Sequence, residues 1–137
     1  MHPLDPLRRE ELDRAVQIIR DQMNLPADAL FEQVRLKEPC KSAVNAFNSG
    51  NPSDITREAF AVVLDRSADE VCEVVVSLDE NKITSREIIP GVRISFLSEE
   101  SAEFRKIICE HPDFLAALKR RGISDPEQVL VEGFAVA

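Results

Sequence analysis

The sequence is poor in the side chains that most often carry out catalysis. Its 137 residues include no tyrosine and no tryptophan, and there are two histidines, His2 and His111. Histidine is the usual general acid or base near neutral pH. His2 lies close to the N-terminus, and His111 precedes a proline that interrupts a helical pattern. We therefore predict surface or capping roles for both histidines.

Cysteine is also scarce, and its three copies follow no recognised spacing. Cys40, Cys72 and Cys109 are too far apart for a CxxC-type metal site, and an odd number leaves one thiol outside any set of disulfides. Cys72 and Cys109 fall on apolar faces, which predicts buried free thiols. Cys40, next to Lys41, is the candidate for an exposed and reactive thiol. Free thiols favour a reducing compartment.

Long apolar runs and an excess of positive charge are absent as well. The longest apolar run covers residues 59–64, far short of the roughly 20 residues that span a bilayer, and the N-terminal residues MHPLDPLRREE lack the apolar core of a signal peptide. The 25 acidic and 17 basic residues give a formal charge of -8, which disfavours binding to a phosphate backbone. We expect a soluble, cytoplasmic chain that binds neither membranes nor nucleic acid.

Acidic residues are plentiful, but their positions do not indicate a catalytic pair. Three neighbouring pairs stand out: Glu10 with Glu11, Asp69 with Glu70, and Asp79 with Glu80. Each pair falls in a predicted first helical turn or a predicted hairpin turn, where charge favours solubility. The sequence has no glycine-rich phosphate loop, and DENK at 79–82 lacks the ligand spacing of a calcium loop. We therefore predict no catalytic, cofactor-binding or metal-binding residue in this chain.

The patterns that are present begin with an amphipathic helix and a strand. Apolar residues recur at three- and four-residue steps from 12 to 23, and Asp5 and Pro6 are suited to the N-cap and the first helical position. Residues 31–37 predict a strand that ends at Glu38 and Pro39. Residues 40–50 predict either one or two helical turns or an irregular crossing, with Gly50 suited to a chain reversal.

Three β-rich runs follow, and they predict an antiparallel meander. The runs cover residues 58–66, 70–78 and 82–89, and short polar turns separate them. In the middle run one face carries Cys72, Val74, Val76 and Leu78, while Glu73 and Ser77 point to the more solvated face. An amphipathic helix followed by a one-sided sheet predicts an α+β fold in which the helix covers the apolar face of four antiparallel strands.

The last third of the sequence repeats the order of the first. Ser98 is the predicted N-cap of a helix, a second helical segment runs from Pro112 to Gly122, and Val129 to Val131 predict a short strand. This weak repeat indicates a domain at 1–93 and an incomplete second copy at 94–137. Because the second copy has no sheet of its own, we expect it to dock on the first unit or to pair across a homodimer.

Six stretches of the sequence together resemble a known family. They are HPLDPL at the start, the helix after it, LKEPCK at 36–41, REAFAVVLDR at 57–66, ITSREIIPGV at 83–92, and LAALKRRGISDPEQVLVE at 115–132. In this order and with these gaps they are similar to the non-catalytic N-terminal domains of the copper-containing, quinone-dependent amine oxidases. Two departures are Arg86, where an aromatic is common, and residues 132–134, where the family tends to have Asp-Pro-Trp.

The resemblance implies two successive cystatin-like α+β domains ahead of a large catalytic β-sandwich. Residues 1–93 would form the complete first domain, and 94–137 the helix and first strand of the second. The family oxidises primary amines to aldehydes with a copper held by three histidines and a quinone made from a tyrosine, all in the catalytic domain. No position of this chain matches those residues, so the resemblance carries over no functional residue.

Three functional hypotheses remain open on the sequence alone. The first is a scaffold region that packs against the catalytic domain of an amine oxidase and is inactive in isolation. The second is a freestanding cystatin-like module that binds a peptide, a protein or a small ligand. The third is a small enzyme whose acid and base would come from scattered Asp and Glu residues.

Overall fold

The chain divides into two compact units, Met1–Ile94 (unit 1) and Ser95–Ala137 (unit 2). The computed structural model describes residues 2–51, 55–95 and 97–133, with only the backbone of Ser98 and Glu99. The described part of unit 1 contains the helices α1 (Arg9–Met23) and α2 (Lys41–Asn48) and the strands β1 (Leu30–Lys37), β2 (Glu58–Asp65), β3 (Glu70–Ser77) and β4 (Lys82–Ile88). That of unit 2 contains α3 (Ser98–Glu110), α4 (Pro112–Arg120) and a 3₁₀ turn at Pro126–Gln128.

The four strands form one antiparallel sheet in the order β1-β2-β3-β4. The two tight turns that join β2 to β3 and β3 to β4 contain Asp69 at φ 52° and Asn81 at φ 55°, in the left-handed region that Asp and Asn tolerate better than most residues. The predicted α+β fold and meander are therefore confirmed.

The core of unit 1 lies between α1 and one face of the sheet. The helix contributes the buried residues Ala15, Ile18 and Ile19. The sheet and the residue that follows β3 contribute Ala59, Ala61, Val63, Cys72, Val74, Val76 and Leu78. Each buried Val or Ile side chain contributes about 1.5–3 kcal/mol relative to an exposed one. The predicted apolar face of β3 is thus the face that α1 covers.

Two expectations about α1 and β3 were wrong in detail. The helix begins at Arg9 with Arg8 as its N-cap, because the Glu11 carboxylate accepts the Arg8 N–H at 2.7 Å, while Asp5 instead accepts the N–H of His2 at 2.8 Å. Ser77 was expected on the more solvated face but is fully buried, and its hydroxyl accepts the Glu80 N–H at 3.1 Å.

The second helix of unit 1 is short and lies at the surface. Residues 41–48 form α2, as the sequence suggested for 40–50, but none of its side chains is buried. Phe47 keeps 37% of its surface exposed. This helix therefore adds little to the core and forms part of a surface instead.

The two helices of unit 2 meet at His111 and Pro112, where the sequence placed the interruption. The N-cap of α3 is Leu97 rather than Ser98, since the Glu100 carboxylate accepts the Leu97 N–H at 3.3 Å and Ser98 is already helical. Leu118 is the buried side chain of α4. Gly122 ends this segment at φ 77°.

The predicted strand at Val129–Val131 was wrong. Residues 129–131 are not in a strand, and the Val129 carbonyl accepts a hydrogen bond from the Arg105 guanidinium at 3.0 Å. The described part of unit 2 offers no strand with which this segment could pair. Asp125 accepts the N–H of Glu127 and starts the 3₁₀ turn before it. Within the residues described, no helix has both the length and the apolar character to cross a bilayer.

Candidate functional site

The two histidines belong to different units and have different surroundings. His2 is held more firmly than a position near the N-terminus suggested: its Nδ1 accepts the Leu4 N–H at 3.2 Å and its Nε2 lies 3.1 Å from the Asn48 side-chain oxygen. Its ring also meets Phe47 edge-on, at 5.4 Å between centroids. His111 is exposed at the N-cap of α4, which agrees with the predicted surface role.

The three cysteines are free thiols in three environments. Cys72 is buried in the core as predicted, and Cys109 is only half-buried. Cys40 is exposed, and its hydrogen bond with the Ser42 hydroxyl lowers the pKa of its thiol, with smaller contributions from backbone N–H groups. A hydroxyl cannot take the thiol proton at neutral pH, so this arrangement lacks the base that a cysteine nucleophile uses.

A search for metal ligands gives no candidate in the described residues. Among them, no three His, Cys, Asp or Glu side chains come together in a group that could hold a metal ion.

One of the predicted surface carboxylates has a dense set of partners that the sequence did not reveal. Arg57, just before β2, donates from Nε and Nη2 to the two oxygens of Glu11 at 2.8 and 3.0 Å. The same guanidinium donates to the carbonyls of Asp5 and Pro6 at 2.9 and 3.0 Å. The Arg57 N–H also binds the Asp79 carboxylate at 2.8 Å. We call Arg57, Glu11 and Asp79 the Arg57 cluster.

The Arg57–Glu11 pair of this cluster is largely shielded from water, whereas Asp79 is exposed, and this shielding changes the electrostatics of the pair. The Arg57 and Glu11 side chains keep 12% and 20% of their surface exposed. The hydrogen bonds from Arg57 outweigh the cost of burial and lower the pKa of Glu11 to about 2, while Glu11 raises the pKa of Arg57. A carboxylate that stays ionised at every physiological pH is a poor general acid and a weak base. The cluster is suited to joining segments of the chain, not to transferring protons.

Sequence reasoning placed Glu11 on a solvated face and therefore missed this cluster. Glu11 and Arg57 are 46 residues apart, and neither lies in a motif that links them. The available signal was weak: Glu11 stands at the third position of a helix whose N-terminal segment contains two prolines, so a partner was needed to fix that segment. The Arg57–Glu11 pair depends on how α1 packs against the start of β2, and amino-acid composition does not determine that packing.

A second polar contact joins α1 to the β3–β4 hairpin. Arg14 Nε donates to the Asn81 side-chain oxygen at 2.6 Å, and Gln22 donates to the Asn81 carbonyl at 2.9 Å. The Gln22 oxygen in turn accepts the Ile83 N–H at 2.9 Å. These bonds fix the hairpin against the helix and satisfy polar groups at the sheet edge.

Next to the Arg57 cluster, unit 1 has a cleft of about 310 Å³. Its walls come from the N-terminal segment, the end of β1, α2, the segment before β2 and the β3–β4 turn. The lining residues are His2, Pro3, Leu36, Lys37, Pro39, Phe47, Ile55, Thr56, Arg57 and Asp79. We call it the α2 cleft. Apolar walls and charged groups occur together in this cleft.

Comparisons with known proteins agree with one another. A family model for the N2 domain of copper amine oxidases matches residues 2–89. Primary amine oxidase of Klebsiella aerogenes is 35% identical over 136 residues, covering 98% of this chain and 18% of the relative. Copper methylamine oxidase of Arthrobacter sp. (strain P1) is 32% identical over 136 residues, covering 98% of this chain and 20% of the relative.

The same result comes from solved structures. A copper-containing benzylamine oxidase from Hansenula polymorpha superposes with a TM-score of 0.74 at 22% identity, covering 90% of this chain and 20% of that one. At this identity the likeness supports the fold. The chain spans about a fifth of the length of the curated relatives named above.

One helix on a four-stranded antiparallel sheet, fixed by a partly buried ion pair, defines a small cystatin-like α+β domain. The match over residues 2–89 makes the assignment specific: the chain belongs to the copper amine oxidase family, through its N2 domain. The resemblance inferred from sequence is confirmed, and the parent family is that of the primary amine oxidases.

The residues of this chain do not fit the copper and the tyrosine-derived quinone that the family implies. The sequence has no tyrosine from which the quinone would form, and its two histidines are fewer than the three copper ligands. Both nitrogens of the His2 ring already have partners, the Leu4 N–H and the Asn48 side-chain oxygen. We derive no chemical step through either group.

Proposed function

We propose that this chain is a non-catalytic scaffold region of a copper amine oxidase, inactive in isolation. Its role is to pack against the catalytic domain of that enzyme, whose activity is the oxidative deamination of primary amines. In this proposal residues 1–93 are a complete domain and residues 94–137 the beginning of the next. The observation that carries the proposal is the mismatch between family and chemistry: the N2-domain match covers unit 1, but the chain has no residue set for copper or quinone.

The geometry of unit 1 supports this role. The Arg57 cluster joins the N-terminal segment, α1, the start of β2 and the β3–β4 turn, and the Glu11 carboxylate within it is held ionised. The polar contacts of Asn81 add a second link of the same kind. Both sets of hydrogen bonds stabilise the domain and hold its segments in a rigid arrangement.

An oxidase assay tests the proposal directly. The purified 137-residue chain, with and without added copper, is incubated with benzylamine and with phenethylamine, and peroxide release is measured beside a full-length copper amine oxidase. We expect no peroxide above the no-amine control and no copper retained after dialysis. Amine-dependent peroxide, or stoichiometric tightly held copper, would overturn the proposal.

Unit 2 suggests a further partner. Ile107, Leu115 and Leu130 keep 59%, 39% and 78% of their surface exposed, a large apolar exposure for a small unit. We propose that these side chains are covered in a homodimer when the catalytic domain is absent. Light scattering should give twice the monomer mass, and Ile107→Glu should give the monomer. A monomer at all concentrations would exclude the dimer.

We also propose a reducing, cytoplasmic location, since the three cysteines are free and Cys40 is exposed. Acid-quenched alkylation of cells that express the chain should modify Cys40 without prior reduction. Modification that appears only after reduction would contradict this location.

One observation favours the freestanding binding module as a second candidate function. The α2 cleft of unit 1 is concave, partly apolar and large enough for a small organic molecule.

A further inference from the structure

The α2 cleft combines three features of a small-molecule site. Its volume of about 310 Å³ is at the lower end of the range for ligand pockets. Leu36, Phe47 and Ile55 give it an apolar wall, and Phe47 keeps 37% of its surface exposed although it belongs to an amphipathic helix. Lys37 and Thr56 supply donors at the same cleft.

The walls of the cleft are held in place before any ligand arrives. His2 is fixed by the Leu4 N–H, by Asn48 and by its edge-on contact with Phe47. On the other side, Arg57 is fixed by Glu11 and by two backbone carbonyls. A preformed wall reduces the entropy lost on binding.

The charge available to a ligand comes from Lys37. The positive charge of Arg57 is already matched by Glu11. Asp79 is exposed and accepts the Arg57 N–H at 2.8 Å, so its negative charge lies beside Arg57. The Lys37 ammonium lies 3.6 Å from a Glu58 oxygen, longer than a good charge-assisted hydrogen bond, and keeps 45% of its side chain exposed. The other Glu58 oxygen accepts the Thr84 hydroxyl at 3.2 Å. An ammonium has three donors, so Lys37 retains capacity for an incoming anion.

We propose that the α2 cleft binds a small organic carboxylate with an apolar or aromatic body. The body lies against Leu36, Phe47 and Ile55, and the carboxylate accepts from the Lys37 ammonium and the Thr56 hydroxyl. A primary amine of the same shape would place its positive charge beside Lys37, so it binds more weakly. This site is separate from the scaffold role and does not depend on it.

The test is an NMR titration of the ¹⁵N-labelled 137-residue chain with three probes of one shape: 4-phenylbutyrate, 4-phenyl-1-butanol and 4-phenylbutylamine. We expect saturable shifts for amides around Leu36, Phe47 and Thr56, with affinity falling from the carboxylate to the alcohol to the amine. Lys37→Met should weaken the carboxylate about two- to five-fold and leave the alcohol unchanged. Phe47→Ala should weaken the carboxylate and the alcohol alike.

Lys82→Met is the matched control, because Lys82 is an exposed lysine in an ion pair with Glu80 at 3.0 Å and does not line the cleft. It should leave all three affinities unchanged. Well-dispersed spectra of each variant establish that it is folded. Equal binding of the amine and the carboxylate, equal effects of Lys37→Met and Lys82→Met, or shifts that do not saturate or lie outside the cleft would overturn the proposal.

Discussion

Unit 1 and unit 2 both carry amphipathic helices, but they differ in what those helices have to cover. In unit 1, α1 lies on a four-stranded sheet and Ile19 is completely buried. In the described part of unit 2, α3 and α4 have no sheet to cover, and Ile107 remains 59% exposed. An apolar stripe stabilises a helix only when a complementary surface covers it.

The polar contacts of the two units differ in the same way. The Arg57–Glu11 pair of unit 1 is shielded, and Arg57 also binds two further segments, the N-terminal segment and the β3–β4 turn. In unit 2, Arg105 pairs with a Glu127 side chain that is 75% exposed. Exposed pairs are screened by water and contribute little. We therefore expect unit 1 to determine the stability of the chain, and the predictions below test this from the largest effect to the smallest.

Ile19→Ala should destabilise unit 1 by about 3 kcal/mol, because it removes a fully buried side chain and leaves a cavity in the core. Urea unfolding followed through the NMR signals of β3 measures the change. The matched control is Ile107→Ala, at an exposed isoleucine of α3, which should leave the β3 transition unchanged. Comparable shifts for the two variants would remove the distinction between the units.

Glu11→Gln should cost about 2 kcal/mol, since it leaves the shielded Arg57 guanidinium without its counter-charge. The effect is smaller than for a fully buried pair because Glu11 keeps 20% of its side chain exposed. Glu10→Gln, at the neighbouring residue, is the control and should be nearly neutral. Circular dichroism during urea unfolding measures both variants. A loss no larger than that of the control would show that the pair is not stabilising.

The Glu11 carboxylate should also make the stability of the chain depend on pH. The pKa of Glu11 falls from 4.5 to about 2 on folding, so its contribution is complete above about pH 4.5 and is lost as the pH falls toward 2. Between pH 5 and pH 2 the wild-type chain should therefore lose on the order of 2 kcal/mol more than Glu11→Gln does. Asp65, whose pKa is lowered by its hydrogen bond with Ser67, is present in both proteins and cancels in the difference. Parallel pH curves would contradict the assignment.

We expect the smallest loss of stability from substitutions at Asn81. Its backbone is left-handed at φ 55° and its side chain accepts from Arg14. Asn81→Ala adds strain and removes the acceptor, so it should cost about 1 kcal/mol, whereas Asn81→Gly removes the acceptor but relieves the strain and should cost less. Thermal unfolding compares the two variants. A greater loss for the glycine variant would mean that the strain argument is wrong.

How far the sequence could predict the structure also differs between the units. In unit 1, apolar and polar residues alternate along the strands with a period of two. This alternation depends on local backbone geometry, and it predicts both the meander and the buried face of β3. The strand expected at Val129–Val131 rested on a local apolar run as well, but a strand needs a neighbour, and the described part of unit 2 provides none. Local pattern was sufficient where the chain also supplied the pairing partner.

The candidate sites were harder to predict than the fold. The exposed Cys40 and buried Cys72 were predicted correctly from their neighbours in sequence. Glu11 was not, because its partner Arg57 is brought to it by the packing of α1 on the sheet. The α2 cleft likewise depends on Lys37, Phe47 and Thr56, which come from three separate segments. Contacts of this type require the three-dimensional arrangement and leave no periodic signal.

Native-state hydrogen exchange of the whole chain tests most directly whether unit 1 supports its own fold while unit 2 depends on a partner. We expect amides of β2 and β3 to exchange with the free energy of global unfolding. Under conditions where the chain is monomeric, amides of α3 and α4 should exchange through openings of much lower free energy. Equal protection of α3 and β3 in the monomer would contradict this expectation.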